Sequence, residues 1–348
     1  MKMMDCIRSH VGVKSLIAAG ICWIVFPWGG CELAAQVVAE PASTPVLTQP
    51  TAGESIEDKN HSDAKKSPNG SNKPNGSNKK EKAPAFTRVD LDEKGEPRAL
   101  QTAVARYRIS SGDYEGAIID LIGAVHIGEK AYYEELNERF KGYDVVLYEL
   151  VANPDDKPRK GKQRRGMNPV GSIQTGMKDS LRLAFQLEEI DYSPKNFVHA
   201  DMSPEEFGED MARRNDGLVS MFARIMGAGF ATQGSKKNSE AQADMMAAML
   251  SGDALKMRRA MAKQFDSMDN QMAGLADKDG KSTLLTERNA KAFEVMDSEL
   301  KTGHRNIGVF YGAGHFPDMH ARLLRDFNAE SMGIEWMDAW DLRSGAIK

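Results

Sequence analysis

The chain has 348 residues, 41% of them hydrophobic, enough length and apolar content for one sizeable α/β core. Its 46 basic and 50 acidic residues leave a formal net charge of −4, which argues against nucleic acid as the main partner. All three cysteines (Cys6, Cys22 and Cys31) lie near the N-terminus, so the remainder has no disulfide, thiol nucleophile or thiolate metal ligand.

Residues 1–39 have the plan of a signal peptide. Lys2, Arg8 and Lys14 precede an apolar stretch from Ser15 to Trp28, and Val37-Val38-Ala39 offers small residues at a cleavage point. The apolar run falls short of the ~20 residues of a spanning helix. Export to the periplasm, cell envelope or medium is therefore expected; an uncleaved anchor, giving membrane association through the N-terminal segment, is the alternative. Cys31 after Gly29-Gly30 has the look of a lipidation site, but Trp28 stands where a small aliphatic residue is expected. Residues 40–85 are rich in Ser, Pro, Asn, Lys and Glu and repeat Pro-Asn-Gly-Ser-Asn-Lys, which predicts a disordered tether before a domain over 86–348.

Within that domain, Ala117 to Ile122 predicts a strand, Gly123-Ala124-Val125-His126 a turn, Glu129 to Tyr143 an amphipathic helix and Asp144 to Val151 a second strand. Such a βαβ unit makes its strands parallel, with His126 and Glu149 near each other on one sheet edge. The basic run at 157–165 is either a solvated loop or a contact for an anionic lipid or substrate. From Leu181 to Arg288 the pattern is mostly helical and dense in methionine, which fits core filling or a groove for a peptide or lipid. One short strand is expected at Asn196 to Ala200, followed by His199 and Asp201 and by a helix that Ser203 and Glu206 would cap. A helix starts near Thr286-Glu287-Arg288-Asn289. The strand–turn–helix–strand plan then recurs, as Asn306 to Tyr311, Gly312-Ala313-Gly314-His315, Pro317 to Phe327 and Gly333 to Trp340.

Both Gly-x-x-His turns place an imidazole at a strand end, where α/β proteins keep their chemistry. Asp338 follows His315 by the same 23 residues that separate Glu149 from His126, which suggests a pseudo-repeat. Glu149 stands in an apolar run, and a buried carboxylate costs several kcal/mol unless it is paired or bound to a cation. A divalent ion shared with His126 and His315 would satisfy it, as would Arg288 or a backbone amide. His304 and His320 have no such context.

With GAVH, YELV, ERN and GAGH in that order, and FQLEEIDY at 185–192, residues 98–342 resemble the TraB/PrgY/GumN family, which includes the Tiki proteases. The resemblance implies a mixed α/β sheet built from two βαβ-like halves with a helical, Met-rich insertion, similar to the erythromycin esterase and ChaN group. It implies that His126, Glu149 and His315 take the metal places, with manganese, cobalt or zinc, and that Arg288 is the arginine of the ERN motif. Relatives of the fold also use histidine as a base without metal, or bind haem. The expectation is a metal-dependent hydrolase acting on a peptide or small-molecule substrate, with Glu287 or Asp338 as general base and Arg288 binding an oxyanion. The alternatives are a metal-free histidine-base hydrolase and a non-catalytic protein that sequesters a signal peptide or haem-like ligand.

Overall fold

Seven strands form one mixed sheet in the computed structural model, which describes residues 84–158, 160, 181–214, 236–265 and 281–345. The expected signal peptide, most of the tether and residues 159 and 161–165 of the basic run lie outside the described residues, as do Met221, Met226, Met268 and Met272. No helix of the described residues is long and apolar enough to cross a membrane.

The centre of the sheet is parallel. Strands β3 (Ile118–Ala124), β5 (Val145–Tyr148), β7 (Phe197–His199) and β8 (Asn306–Gly312) lie in the order β3-β8-β5-β7. Their residues are apolar on both faces because helices cover both. The side chains of β5 alternate accordingly: Val146 and Tyr148 join one core cluster, Val145 and Leu147 the other. Helix α1 (Lys130–Phe140) covers the first face with Tyr132, Leu136 and Phe140. Helices α6 (Arg288–Lys301) and α7 (Phe316–Asp326) cover the second with Phe293, Met296, Phe316 and Met319. The one acid inside β3, Asp120, accepts bonds from Arg106 at 2.9 and 2.8 Å and from the Tyr143 hydroxyl at 2.7 Å.

The antiparallel part was not anticipated in full. Strands β1 (Thr87–Leu91) and β2 (Pro97–Ile109) precede the first expected strand. Along one edge, β2 pairs with β1 and then β3; along the other it pairs with β9 (Ala329–Asp341) over nearly its whole length. His126 and Glu149 share one sheet edge, but they follow strands that are not neighbours, since β8 is inserted between β3 and β5. The second βαβ unit is also not a copy of the first: β9 runs in the same sense as β8, but beyond β3 and β2 and paired to β2.

The segment between the halves holds β6 (Ala184–Phe185), a single helical turn α2 (Gln186–Glu189), α3 (Pro204–Arg213), α4 (Lys236–Ser251) and α5 (Ala254–Phe265). Ser203 and Glu206 form the expected capping box of α3. Met245 and Met261 are buried core fillers that join the cluster under α1, whereas Met249 is exposed. Buried Arg258 fastens α5 to the rest, donating to the carbonyls of Leu181, Arg182 and Asp341 and pairing with Glu129 at 2.5 Å. A two-stranded ribbon, β4 (Ile127–Gly128) against β6, closes over this region.

Trp340 of β9 is fully buried, and its indole Nε1–H donates to the Ile127 carbonyl at 2.6 Å, one residue past His126. Trp340→Ala is expected to cost about 3–5 kcal/mol, read by urea unfolding.

Candidate functional site

Each of the four parallel strands delivers one polar residue just beyond its C-terminal end. His126 follows β3, Glu149 follows β5, Asp201 follows β7 and His315 follows β8. Arg288 is the first residue of α6, which continues directly from a π-helical turn over Thr283–Glu287.

Arg288, Glu149 and Asp201 form a buried charge cluster, with side-chain exposures of 1%, 4% and 0%. Arg288 Nε and Nη2 grip the two Asp201 oxygens at 2.9 and 2.5 Å, and Nη2 also donates to Glu149 Oε1 at 2.7 Å. Glu149 Oε2 accepts the Gly312 amide at 2.7 Å. Asp201 Oδ1 also accepts the Met202 amide at 2.8 Å. Burial by itself would raise the Glu149 carboxyl, but the facing His315 ring and Arg288 guanidinium outweigh it and hold the group well below the usual carboxylate range. The two carboxylates in turn raise the Arg288 pKa despite its burial.

His315 lies against this cluster. Its Nε2 stands 3.3 Å from Glu149 Oε1, and its Nδ1 bonds Asn289 Oδ1 at 2.6 Å. Asn289 is held by two further bonds, donating to the His315 carbonyl at 3.1 Å and to Asp318 at 2.8 Å. Because Nδ1 is engaged with an amide oxygen, it carries a proton there. The contact of Nε2 with Glu149 is then attractive when Nε2 also bears a proton or when a cation lies between the two.

His126 is the more open of the two imidazoles, half-buried at the strand edge, with Nδ1 3.2 Å from Gln186 Oε1. Burial lowers its pKa below the ordinary value of 6.5, and the nearby Glu149 charge opposes that shift without cancelling it. At neutral pH the ring is therefore uncharged. Its loop is fixed by α1, whose Tyr132 and Tyr133 hydroxyls donate to the Gly123 and Val125 carbonyls at 2.5 and 2.8 Å.

Gly123 and Gly312, which open the two turns, stand where space is tight. Neither Gly123 nor Gly312 has a positive φ. A Cβ on Gly123 would meet the Ala103 carbonyl oxygen at 3.1 Å, and one on Gly312 would meet Glu149 Oε2 at 3.3 Å.

Two expected catalytic acids are elsewhere. Asp338 is exposed on β9 and accepts from Gln101 Nε2 at 2.6 Å, far along the sheet order from Glu149, so the shared 23-residue spacing has no structural counterpart. Glu287 turns to Arg214 at 2.7 Å rather than into the cluster. Arg288 is in the site but buried and engaged by both carboxylates, which removes it from oxyanion binding and makes it the counter-charge. His199 donates to the Leu150 carbonyl at 2.6 Å, and His304 and His320 bond Glu299 and Tyr107. Gln186 and Asn289 were given no role by sequence reasoning, although both stand inside motifs it quoted.

The divalent ion implied by the resemblance would be held by His126, Glu149 and His315. The 3.3 Å between His315 Nε2 and Glu149 Oε1 suits two neighbouring ligands of one ion at about 2.1 Å from each. The third position does not follow. Among the described residues no three His, Cys, Asp or Glu side chains are grouped to hold a metal, and Arg288 already donates to the same Glu149 oxygen. The arrangement thus brings His315 and Glu149 together at a ligand-like separation.

Comparison with protein-family models, curated proteins and solved structures finds no match. The chemistry of the site must therefore be argued from its own residues.

Folding holds the Glu149 carboxyl below its unfolded pKa, so its contribution to stability is complete above about pH 4.5 and is lost as pH falls toward the folded value. Urea unfolding between about pH 6 and 3 is expected to show a steeper loss of stability for the parent than for Glu149→Gln. Equal slopes would mean that the carboxyl is not held ionised.

Proposed function

We propose that the protein is a hydrolase, and by its family resemblance a peptidase, in which His126 is the general base. The observation that carries this reading is a neutral, half-buried imidazole at the C-terminal edge of the parallel strands, beside a fixed charge cluster. His126 would take a proton from the attacking water as the water adds to the carbonyl carbon of the substrate, and return it to the leaving group. Of the charges beside His126, the Glu149 carboxylate favours the imidazolium that forms in between, while Arg288 and His315 oppose it. The cluster is built in advance, so no side chain has to reorganise as that charge appears.

The full chain is expected to cleave members of a peptide library followed by mass spectrometry, and His126→Ala to lower the rate about 10²–10⁴-fold while keeping the fold. Because the His126 pKa is lowered, the acid limb of the pH–rate profile should lie below about pH 6.5. Saturable peptide binding with no product, unchanged in His126→Ala, would instead make the protein a sequestering one.

A second reading, the metal-dependent hydrolase, rests on the 3.3 Å separation of His315 and Glu149. Elemental analysis of the full chain, purified without chelator beside His126→Ala and His315→Ala, decides between the two. No manganese, cobalt or zinc in any form, even after each is supplied, agrees with the base reading. Near-stoichiometric metal that falls in both variants would replace it.

A further inference from the structure

The ring of His126 has two nitrogens, and among the described residues only Nδ1 has a hydrogen-bond partner. Nδ1 lies 3.2 Å from Gln186 Oε1, while the other end of that amide, Nε2, donates to the Tyr192 hydroxyl at 3.0 Å. Gln186 and Tyr192 are both buried. Tyr192 is itself fixed, with its ring 5.1 Å from Tyr148 and 5.6 Å from Phe197, and burial keeps its hydroxyl protonated.

The backbone places the glutamine as firmly as its side chain does. The Gln186 amide donates to the carbonyl of His126 itself at 2.9 Å, continuing the ribbon in which Ile127 pairs with Phe185 and Gly128 with Ala184. The short turn that begins at Gln186 is pinned to α1 through Asn137, which donates to the Glu189 carbonyl at 2.9 Å and accepts the Asp191 amide at 2.9 Å. A buried glutamine tied at two points to the residue it serves, and at a third to Tyr192, has little freedom to turn.

An amide oxygen only accepts, so a ring nitrogen that bonds it must carry the proton. We infer that Gln186 is a positioning residue that holds His126 in the Nδ1–H tautomer and so leaves the unshared electron pair on Nε2, the nitrogen available to the substrate. Such control of one ring nitrogen by the partner of the other is how a histidine base is made ready. The inference rests on the reading of His126 as the base, and it is separable from it. The reversed amide would donate to Nδ1, put the proton on Nε2 and leave the base without its electron pair on that side.

The test is a two-bond proton–nitrogen correlation spectrum of the full chain labelled with ¹⁵N-histidine, at a pH where His126 is neutral, with its signals assigned by their loss in His126→Ala. The parent should show an N–H type Nδ1 and an unprotonated Nε2. Gln186→Glu, which keeps the acceptor, should retain that pattern, whereas Gln186→Leu should shift the ring toward the Nε2–H form and lower kcat at least 10-fold, with KM changed less. An Nε2–H ring in the parent would overturn the inference, even in an active hydrolase. If Gln186→Leu does not fold, the parent and Gln186→Glu spectra still decide. An Nδ1–H ring in a protein that hydrolyses nothing would uphold the tautomer and remove the function built on it.

Discussion

Two carboxylates and one guanidinium share a space at the sheet edge that water barely reaches. An isolated charge there would cost several kcal/mol, and removing one partner of such a set leaves the others uncompensated. Glu149, Asp201 and Arg288 come from β5, β7 and α6, so the cluster forms only when three distant parts of the chain have docked. The same docking brings His315 onto Glu149 and orders the turn at Gly312, whose amide completes the carboxylate's bonds.

The parallel order β3-β8-β5-β7 follows from that requirement as much as it permits it. Because the four strands run in one sense, their C-terminal ends lie together, and residues far apart in sequence meet there. The close approach of β8 to Glu149 leaves little room for a side chain at Gly312, just as the approach of β2 to β3 leaves little at Gly123. The glycines of the two Gly-x-x-His turns thus serve space rather than backbone dihedral freedom. The histidines they introduce differ: His315 is sealed against the charges, while His126 keeps one side toward solvent.

Much of the core was legible because it is local and strongly patterned. The expected strands at Ala117 to Ile122 and Asn306 to Tyr311 and the helices near 130 and 317 agree with the structure to within a few residues. Glu149 declared itself by standing among Leu147, Tyr148, Leu150 and Val151. What depended on long-range pairing was not legible. No strand was expected at β2, which carries Arg98, Arg106 and Arg108 on its exposed side; β9 was expected over Gly333 to Trp340, but not its exposed opening residues Glu330, Ser331 and Met332 or its pairing to β2. Asp338 matched Glu149 in spacing, but spacing carries no information about which sheet edge or partner a residue will find. Asp201 and Gln186 gained meaning only once β7 and the β4–β6 ribbon had placed them.

A double-mutant cycle of Glu149→Gln and Arg288→Met, read by urea unfolding at neutral pH, tests the central claim that these buried charges stabilise one another. Arg288→Met alone should cost about 3–5 kcal/mol, because it leaves two carboxylates buried without a counter-charge. The double variant should be less destabilised than the sum of the two single variants. Additive costs would contradict the account, since they would mean that Glu149 and Arg288 are stabilised independently and that no coupled cluster underlies the site.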